Sequence, residues 1–269
     1  MPLRTLLVHG SFDELLSSRV NVAGEVARAH DAKVTILFPL QGQGGAFLHA
    51  EHAPAAAVER RIKAERLRAT RIGNRIARQM TRQGIRAEWL ATEGPAHEVL
   101  AARSAMADIV VMSWSEADWV SPQASSVVVA AGRPILVVPP GSSCASGIRR
   151  VLVAWNGSRE SARAIQDALP FLEKAEHVVL FTAGEVAAGA ASAADAAAYL
   201  ATHEVEASLD QGAVHGPNAG EAILRAARRL GADLIVIGAY GHSRLHEWTF
   251  GGATRAVLKS VTVPTLLSH

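Results

Sequence analysis

The chain reads as two successive α/β units, each a parallel sheet flanked by helices. Three observations predict this. Short apolar runs alternate with helix-length segments along the whole chain, giving β-α-β-α-β-α-β-α-β twice, and such alternation implies parallel strands joined by right-handed crossovers. The same landmarks recur in the same order in both halves. Of 269 residues, 49% are hydrophobic but only 5% aromatic, so Ala, Val, Leu and Ile must fill the interior, as suits a parallel sheet covered by helices.

Taken in order, the first half supplies strands at residues 3–8, 33–38, 86–91, 108–112 and 134–138. The second supplies them at 150–154, 177–181, 205–209, 233–237 and 264–267. Each run is short, continuous and apolar, which predicts strands buried on both faces. Between the second and third runs, Val58, Ile62, Ala69, Ile72, Ile76 and Met80 fall on one stripe at helical spacing. The same segment, 59–82, carries nine basic residues (Arg60, Arg61, Lys63, Arg66, Arg68, Arg71, Arg75, Arg78 and Arg82), for which a solvated basic face is the first expectation and an anionic partner the alternative. In the second half Ser158 is placed to cap the first helix ahead of Glu160. The Ala-rich stretch 187–198 is expected as a helix or loop without chemistry.

The repeat is visible in detail. Leu3-Arg-Thr-Leu-Leu-Val parallels Ile148-Arg-Arg-Val-Leu-Val, and Ala107-Asp-Ile-Val-Val-Met parallels Ala232-Asp-Leu-Ile-Val-Ile. Arg133-Pro-Ile-Leu-Val-Val parallels Val263-Pro-Thr-Leu-Leu. A single ten-stranded domain would also fit the alternation, but three landmarks in order favour duplication. Residues 139–147, small and turn-forming, read as the linker between domains at 1–140 and 148–269. The halves differ after the fourth strand: Asp108 to Pro134 spans 26 positions, Asp233 to Pro264 spans 31, and the extra residues are glycine-rich.

Charge and cysteine content narrow the function classes. A formal net charge of +2 is too small to predict nucleic acid as the main partner. With Cys144 the sole cysteine, no intrachain disulfide can form, and nothing suggests an oxidising compartment. The N-terminal apolar run is too short for a secretory signal, and no stretch is long enough to span a bilayer. A cytoplasmic protein without a membrane partner is expected. No Ser-His-Asp grouping or carboxylate pair sits on a recognisable frame, so no catalytic residues are assigned. His242 and His246 are four apart but lack a third ligand, so no metal site is expected there. His215, ahead of Gly216-Pro217, reads as a turn residue.

After the fourth strand of the second half the chain reads Gly238-Ala-Tyr-Gly241-His-Ser-Arg-Leu-His-Glu-Trp-Thr-Phe-Gly251-Gly252-Ala-Thr. Glycines at the carboxyl end of a parallel strand let backbone approach a ligand, and the helix start that follows favours phosphate. A purely structural turn explains scattered glycines equally well.

The spacing Gly-x2-Gly-x9-Gly, with Val151-Leu-Val-Ala-Trp-Asn-Gly-Ser-Arg-Glu-Ser at the first strand and Val263-Pro-Thr-Leu-Leu at the last, resembles the universal stress protein family. The likeness covers essentially all of residues 148–269 and, more faintly, 1–140. It implies two tandem Rossmann-like domains, each a five-stranded parallel sheet of order 3-2-1-4-5. Their fifth strands, around 135–138 and 265–267, would meet antiparallel to make an intramolecular pseudo-dimer. It further implies a stress-associated regulatory protein that binds ATP or a related adenine nucleotide, with magnesium as an optional companion, in the C-terminal domain. By position, Gly238, Gly241 and Gly251 form the phosphate loop and Gly252 and Ala253 begin the anchoring helix. Ala154, Trp155 and Asn156 lie at the nucleoside end. Gly252 stands where the family's ATP-binding pattern has Ser or Thr, and Asn156 where it usually has Asp; Thr254, His242, Arg244 and Arg255 are available to compensate. Two alternatives stay open: a ligand-free module that recruits protein partners, or a slow ATPase or nucleotidyl transferase, for which Glu247 is the only acidic residue near the loop. Protein partners and a homodimer stay open as further expectations.

Overall fold

The structure, a computed structural model, describes residues 2–40, 55–113, 131–184, 186–212, 219–239 and 252–269. The first half runs β1 (Thr5–His9), α1 (Leu16–His30), β2 (Lys33–Leu40), α2 (Ala55–Arg82), β3 (Ala87–Glu93), α3 (Ala96–Ser104), β4 (Ile109–Met112) and β5 (Ile135–Val137). The second runs β6 (Arg150–Trp155), α4 (Arg159–Leu172), β7 (His177–Ala183), α5 (Ala193–Ala201), β8 (Ala207–Gly212), α6 (Ala219–Leu230), β9 (Leu234–Gly238), α7 (Gly252–Ser260) and β10 (Thr265–Ser268). Every expected strand forms. Ser192 opens α5 with a capping box to Asp195, which is why helix rather than loop follows the alanines.

The strands make one ten-stranded sheet of order β3-β2-β1-β4-β5-β10-β9-β6-β7-β8. Each half has the order 3-2-1-4-5, and within a half the pairings are parallel. The halves join through an antiparallel pair in the register Thr265↔Val137, Leu266↔Leu136, Leu267↔Ile135. Neither fifth strand is left as an edge, so its apolar side chains and backbone groups are satisfied within the chain. Leu136 and Leu266 are fully buried there.

The expectation that every strand is buried on both faces fails at the third strand of each half. β3 and β8 are the outer edges of the sheet, and their residues are half-buried or exposed, with Leu90 and Leu209 facing solvent. Period and composition alone do not say which run will lack a neighbour.

The repeated Ala-Asp landmark has a physical role. The Asp108 carboxylate accepts hydrogen bonds from the backbone N–H groups of Arg4 and Thr5 at 2.7 and 2.9 Å. Asp233 does the same for Arg149 and Arg150 at 3.0 and 2.8 Å. Each aspartate thus ties the start of strand four to the start of strand one.

One face of the sheet is covered by α1, α2, α4 and α5, the other by α3, α6 and α7. On the first face α1 and α4 meet across the seam. His30 packs edge-on against Phe171 with ring centroids 5.4 Å apart, and Lys174 Nζ donates to the Ala29 carbonyl. The linker is held beside them. Glu25 accepts hydrogen bonds from the Ser143 hydroxyl and the Cys144 backbone N–H. Burial, reinforced by the Glu25 and Asp233 carboxylates, pushes the Cys144 thiol up to about 12, so this cysteine packs as a small apolar residue. Among the described residues, no helix is long and apolar enough to cross a membrane.

Candidate functional site

In each half the carboxyl ends of the parallel strands lie on one edge. Because β5 and β10 run antiparallel, the two such edges face opposite ways. Open α/β sheets take ligands where the strand order reverses, here between the first and fourth strands of a half. In the second half that place lies between β6 and β9.

Two turns build it. After β6, Asn156 Oδ1 accepts from the Ser158 N–H at 3.1 Å, Gly157 adopts φ 73°, and the Ser158 hydroxyl accepts from the Ser161 N–H at 3.2 Å to cap α4. The expected cap is therefore present. Opposite, β9 ends at Gly238, which lies against the first turn of α4. A β-carbon on Gly238 would come 2.6–2.8 Å from backbone atoms of Glu160 and Ser161. The Thr254 hydroxyl, in the first turn of α7, donates to the Gly238 carbonyl at 3.4 Å. The amino termini of α4 and α7 thus converge on the carboxyl end of β9. Each brings the positive end of a helix dipole, which favours an anion, and the Ser158 cap already takes the Ser161 N–H of α4.

The local charges suit that role. Glu160 would oppose an anion, and burial pushes its carboxyl up. Arg159 Nε at 2.6 Å outweighs this, and with further hydrogen bonds holds the acid below its ordinary value as a neutralised pair. Arg255 is exposed on the first turn of α7. Open space surrounds the position a Gly252 side chain would occupy.

The structure thus brings Asn156, Gly238, Gly252 and Ala253 toward one edge. Trp155 and Ala154 diverge, since successive strand residues point to opposite faces. The Trp155 indole is buried beneath the start of α5, donating from Nε1 to the Ala191 carbonyl at 3.0 Å. There it borders a shallow groove with Ile165, Gln166, Ala191, Asp195 and Tyr199. Ala154 is half-buried on the other face. Gly241 and Gly251 lie outside the described residues, as do Arg244, His215, His242, His246 and Glu247. Among the described residues, no cluster of three or more metal-ligating side chains occurs.

Two groups near the edge escaped sequence reasoning. Thr182 Oγ1, at the register position of Trp155, and Ser268 Oγ, at that of Gly238, are buried without a hydrogen-bond partner. A buried hydroxyl normally finds a partner. A hydroxyl residue ending an otherwise apolar strand was the available signal.

The matching turn of the first half is filled by its own side chains. Phe12 stacks on Phe38 at 5.6 Å, and the Arg68 guanidinium lies 4.5 Å above the Phe12 ring. Arg19, almost wholly buried, pairs with Asp13 at 2.8 Å and with the Ser11 hydroxyl. Burial pushes the Asp13 carboxyl up, but hydrogen bonds from the Ser11 hydroxyl, Arg19 and the Leu15 N–H outweigh it and hold the acid below its ordinary value. His9, whose Nδ1 is enclosed without a hydrogen-bond partner, is pushed down to about 4, first by burial and then by Arg19.

Comparison with known proteins agrees with this architecture. Residues 147–269 match the universal stress protein family. Over the whole chain, the fold is similar to that of a universal stress protein from Archaeoglobus fulgidus DSM 4304, with TM-score 0.78 and 15% identity, covering 98% of this chain and 97% of that one. It is similar also to two proteins of Pseudomonas aeruginosa. The one from strain UCBPP-PA14 has TM-score 0.59 and 14% identity, covering 99% and 93% of the two chains. The other, of unknown function and from strain PAO1, has TM-score 0.59 and 13% identity, covering 99% and 92%. No curated protein matches the chain.

Proposed function

With residues 147–269 a universal stress protein domain and the same fold repeated before it, we propose that the chain is a stress-associated regulatory protein. In this reading it binds an adenine nucleotide, ATP by preference, in its C-terminal half. The observation that carries the reading is the convergence of two helix amino termini on Gly238, beside a turn, Asn156 to Ser158, that a ribose can reach. Phosphates would accept from the backbone N–H groups of α7 and from Arg255, and any magnesium would be held through the phosphates. The unpartnered hydroxyls of Thr182 and Ser268 suit a polar ligand at this edge. The first half is the non-binding partner of the pair, because Phe12, Phe38 and the Arg19–Asp13 pair occupy its corresponding turn. In this reading regulation is by nucleotide occupancy.

Isothermal titration of the intact chain with ATP, ADP, AMP and GTP tests this. Saturable binding of adenine nucleotides over GTP, at one equivalent per chain, is the expected result. No heat and no thermal stabilisation with any of the four would return the chain to a ligand-free interaction module.

A further inference from the structure

Helix α2 is not part of the candidate site, yet it concentrates the charge of the molecule. Its nine cations stand against Glu59 and Glu65 alone, a net +7 on a chain whose total is +2. Its buried row is Ala69, Gly73, Ile76 and Met80. Arg71, Arg75, Arg78 and Arg82 repeat that spacing two positions later, about 200° around the helix, so they stand opposite the buried row. All four are exposed, and none has an acidic partner among the described residues. The two carboxylates that do bind this helix, Glu65 and Glu93, take Arg61 and Arg66 instead. The four guanidinium groups form a straight row about 16 Å long.

The row excludes several partners. An anionic membrane would need apolar residues beside the cations, but the apolar stripe of α2 already faces the core. A protein partner would need an apolar centre to its interface, and Leu67 is the one large exposed apolar residue on this helix. Single-stranded nucleic acid is held by aromatic stacking, and the nearby Trp89 is turned inward, against Gly73, with its Nε1 donating to Asn74 Oδ1 at 2.9 Å. A duplex phosphate backbone requires only a line of cations, and arginine forks match phosphate oxygens. An α-helix can enter the DNA major groove but not the narrow major groove of duplex RNA.

We propose that the outer face of α2 docks on the phosphate backbone of duplex DNA, independently of base sequence. Small overall charge does not oppose this, because the cations are gathered on one face. The sequence-level expectation of no nucleic-acid partner rested on the total.

The test is fluorescence anisotropy of a labelled DNA duplex of about 20 base pairs, titrated with the intact chain at about 50 to 200 mM salt. Four phosphate contacts predict a log–log salt slope of about −4 and a loss on the order of 100-fold in affinity across that range. The double variant Arg75→Gln/Arg78→Gln should shallow the slope by about 2 units. The exposed pair Arg225→Gln/Arg228→Gln, on α6, should leave it unchanged. Circular dichroism melts confirm that each variant is folded. Equal weakening by both pairs would overturn the proposal, as would binding to poly-glutamate or phosphatidylserine vesicles in place of the duplex, or absence of duplex binding at the lowest salt.

Discussion

Single residues carry the distinction between a binding loop and a structural turn. Gly252 has a helical backbone and open space beside it. Gly252→Ser should therefore fold normally and tighten ATP binding about tenfold by adding a hydroxyl to phosphate, which titration calorimetry measures. Gly238 is different. Any side chain there meets the backbone of α4 at 2.6 Å, so Gly238→Val should lower stability by about 1–3 kcal/mol whether or not nucleotide is present, a loss readable in denaturant melts. The loop spacing was legible in the sequence; this packing role was not, because it depends on which helix crosses the strand end. A third expectation concerns His30, whose pKa is pushed down to about 4 by burial and then by Lys174, against 6.5 when free. The unfolded chain takes up this proton first as pH falls. Stability from the neutral ring is full above pH 6.5 and is lost progressively toward about pH 4, where the folded state also protonates. His30→Phe keeps the contact with Phe171 and should reduce the fall in melting temperature between about pH 7 and 4.5. His9 titrates in the same direction, so some of the fall should remain.

At the scale of elements, alternation and landmarks sufficed to place all ten strands, because each run is a buried or half-buried segment of a repeated unit. What they could not supply was neighbourhood. β3 and β8 resemble the other runs in composition yet lie at the edges, and the packing of the Trp155 indole beneath α5, where it donates to the Ala191 carbonyl, is not legible in its own run. The seam between β5 and β10 was foreseeable, since a 3-2-1-4-5 order leaves strand five needing a partner. Leu136→Asp or Leu266→Asp would set a carboxylate in a fully buried antiparallel pair. Either should cost more than the 2–5 kcal/mol typical of a buried Leu→Ala change, in roughly the way an unpaired buried charge does. Urea melts and size exclusion should show a lower midpoint with separated or aggregated halves. An unchanged midpoint would mean that the seam contributes little. Amide exchange offers an independent reading: β5 and β10 should be slow, and the edges β3 and β8 fast.

The whole molecule is a pseudo-symmetric pair whose halves have diverged at equivalent places. The antiparallel seam points the two carboxyl edges in opposite directions, so the filled turn around Arg19 and the candidate site around Gly238 cannot share a ligand. Among the described residues, the second half sets the first turns of α4 and α7 beside Gly238, while the turn after β1 carries the Phe12–Phe38 stack and the Arg19–Asp13 pair. The seam, the core and the linker bonds to Glu25 hold the two halves together. The most direct test is hydrogen–deuterium exchange of the intact chain with and without saturating ATP. Protection should appear at the turn after β6, the end of β9 and the first turn of α7, while the turn after β1 exchanges at the same rate in both. Equal protection of both turns, or none at either, would contradict the account.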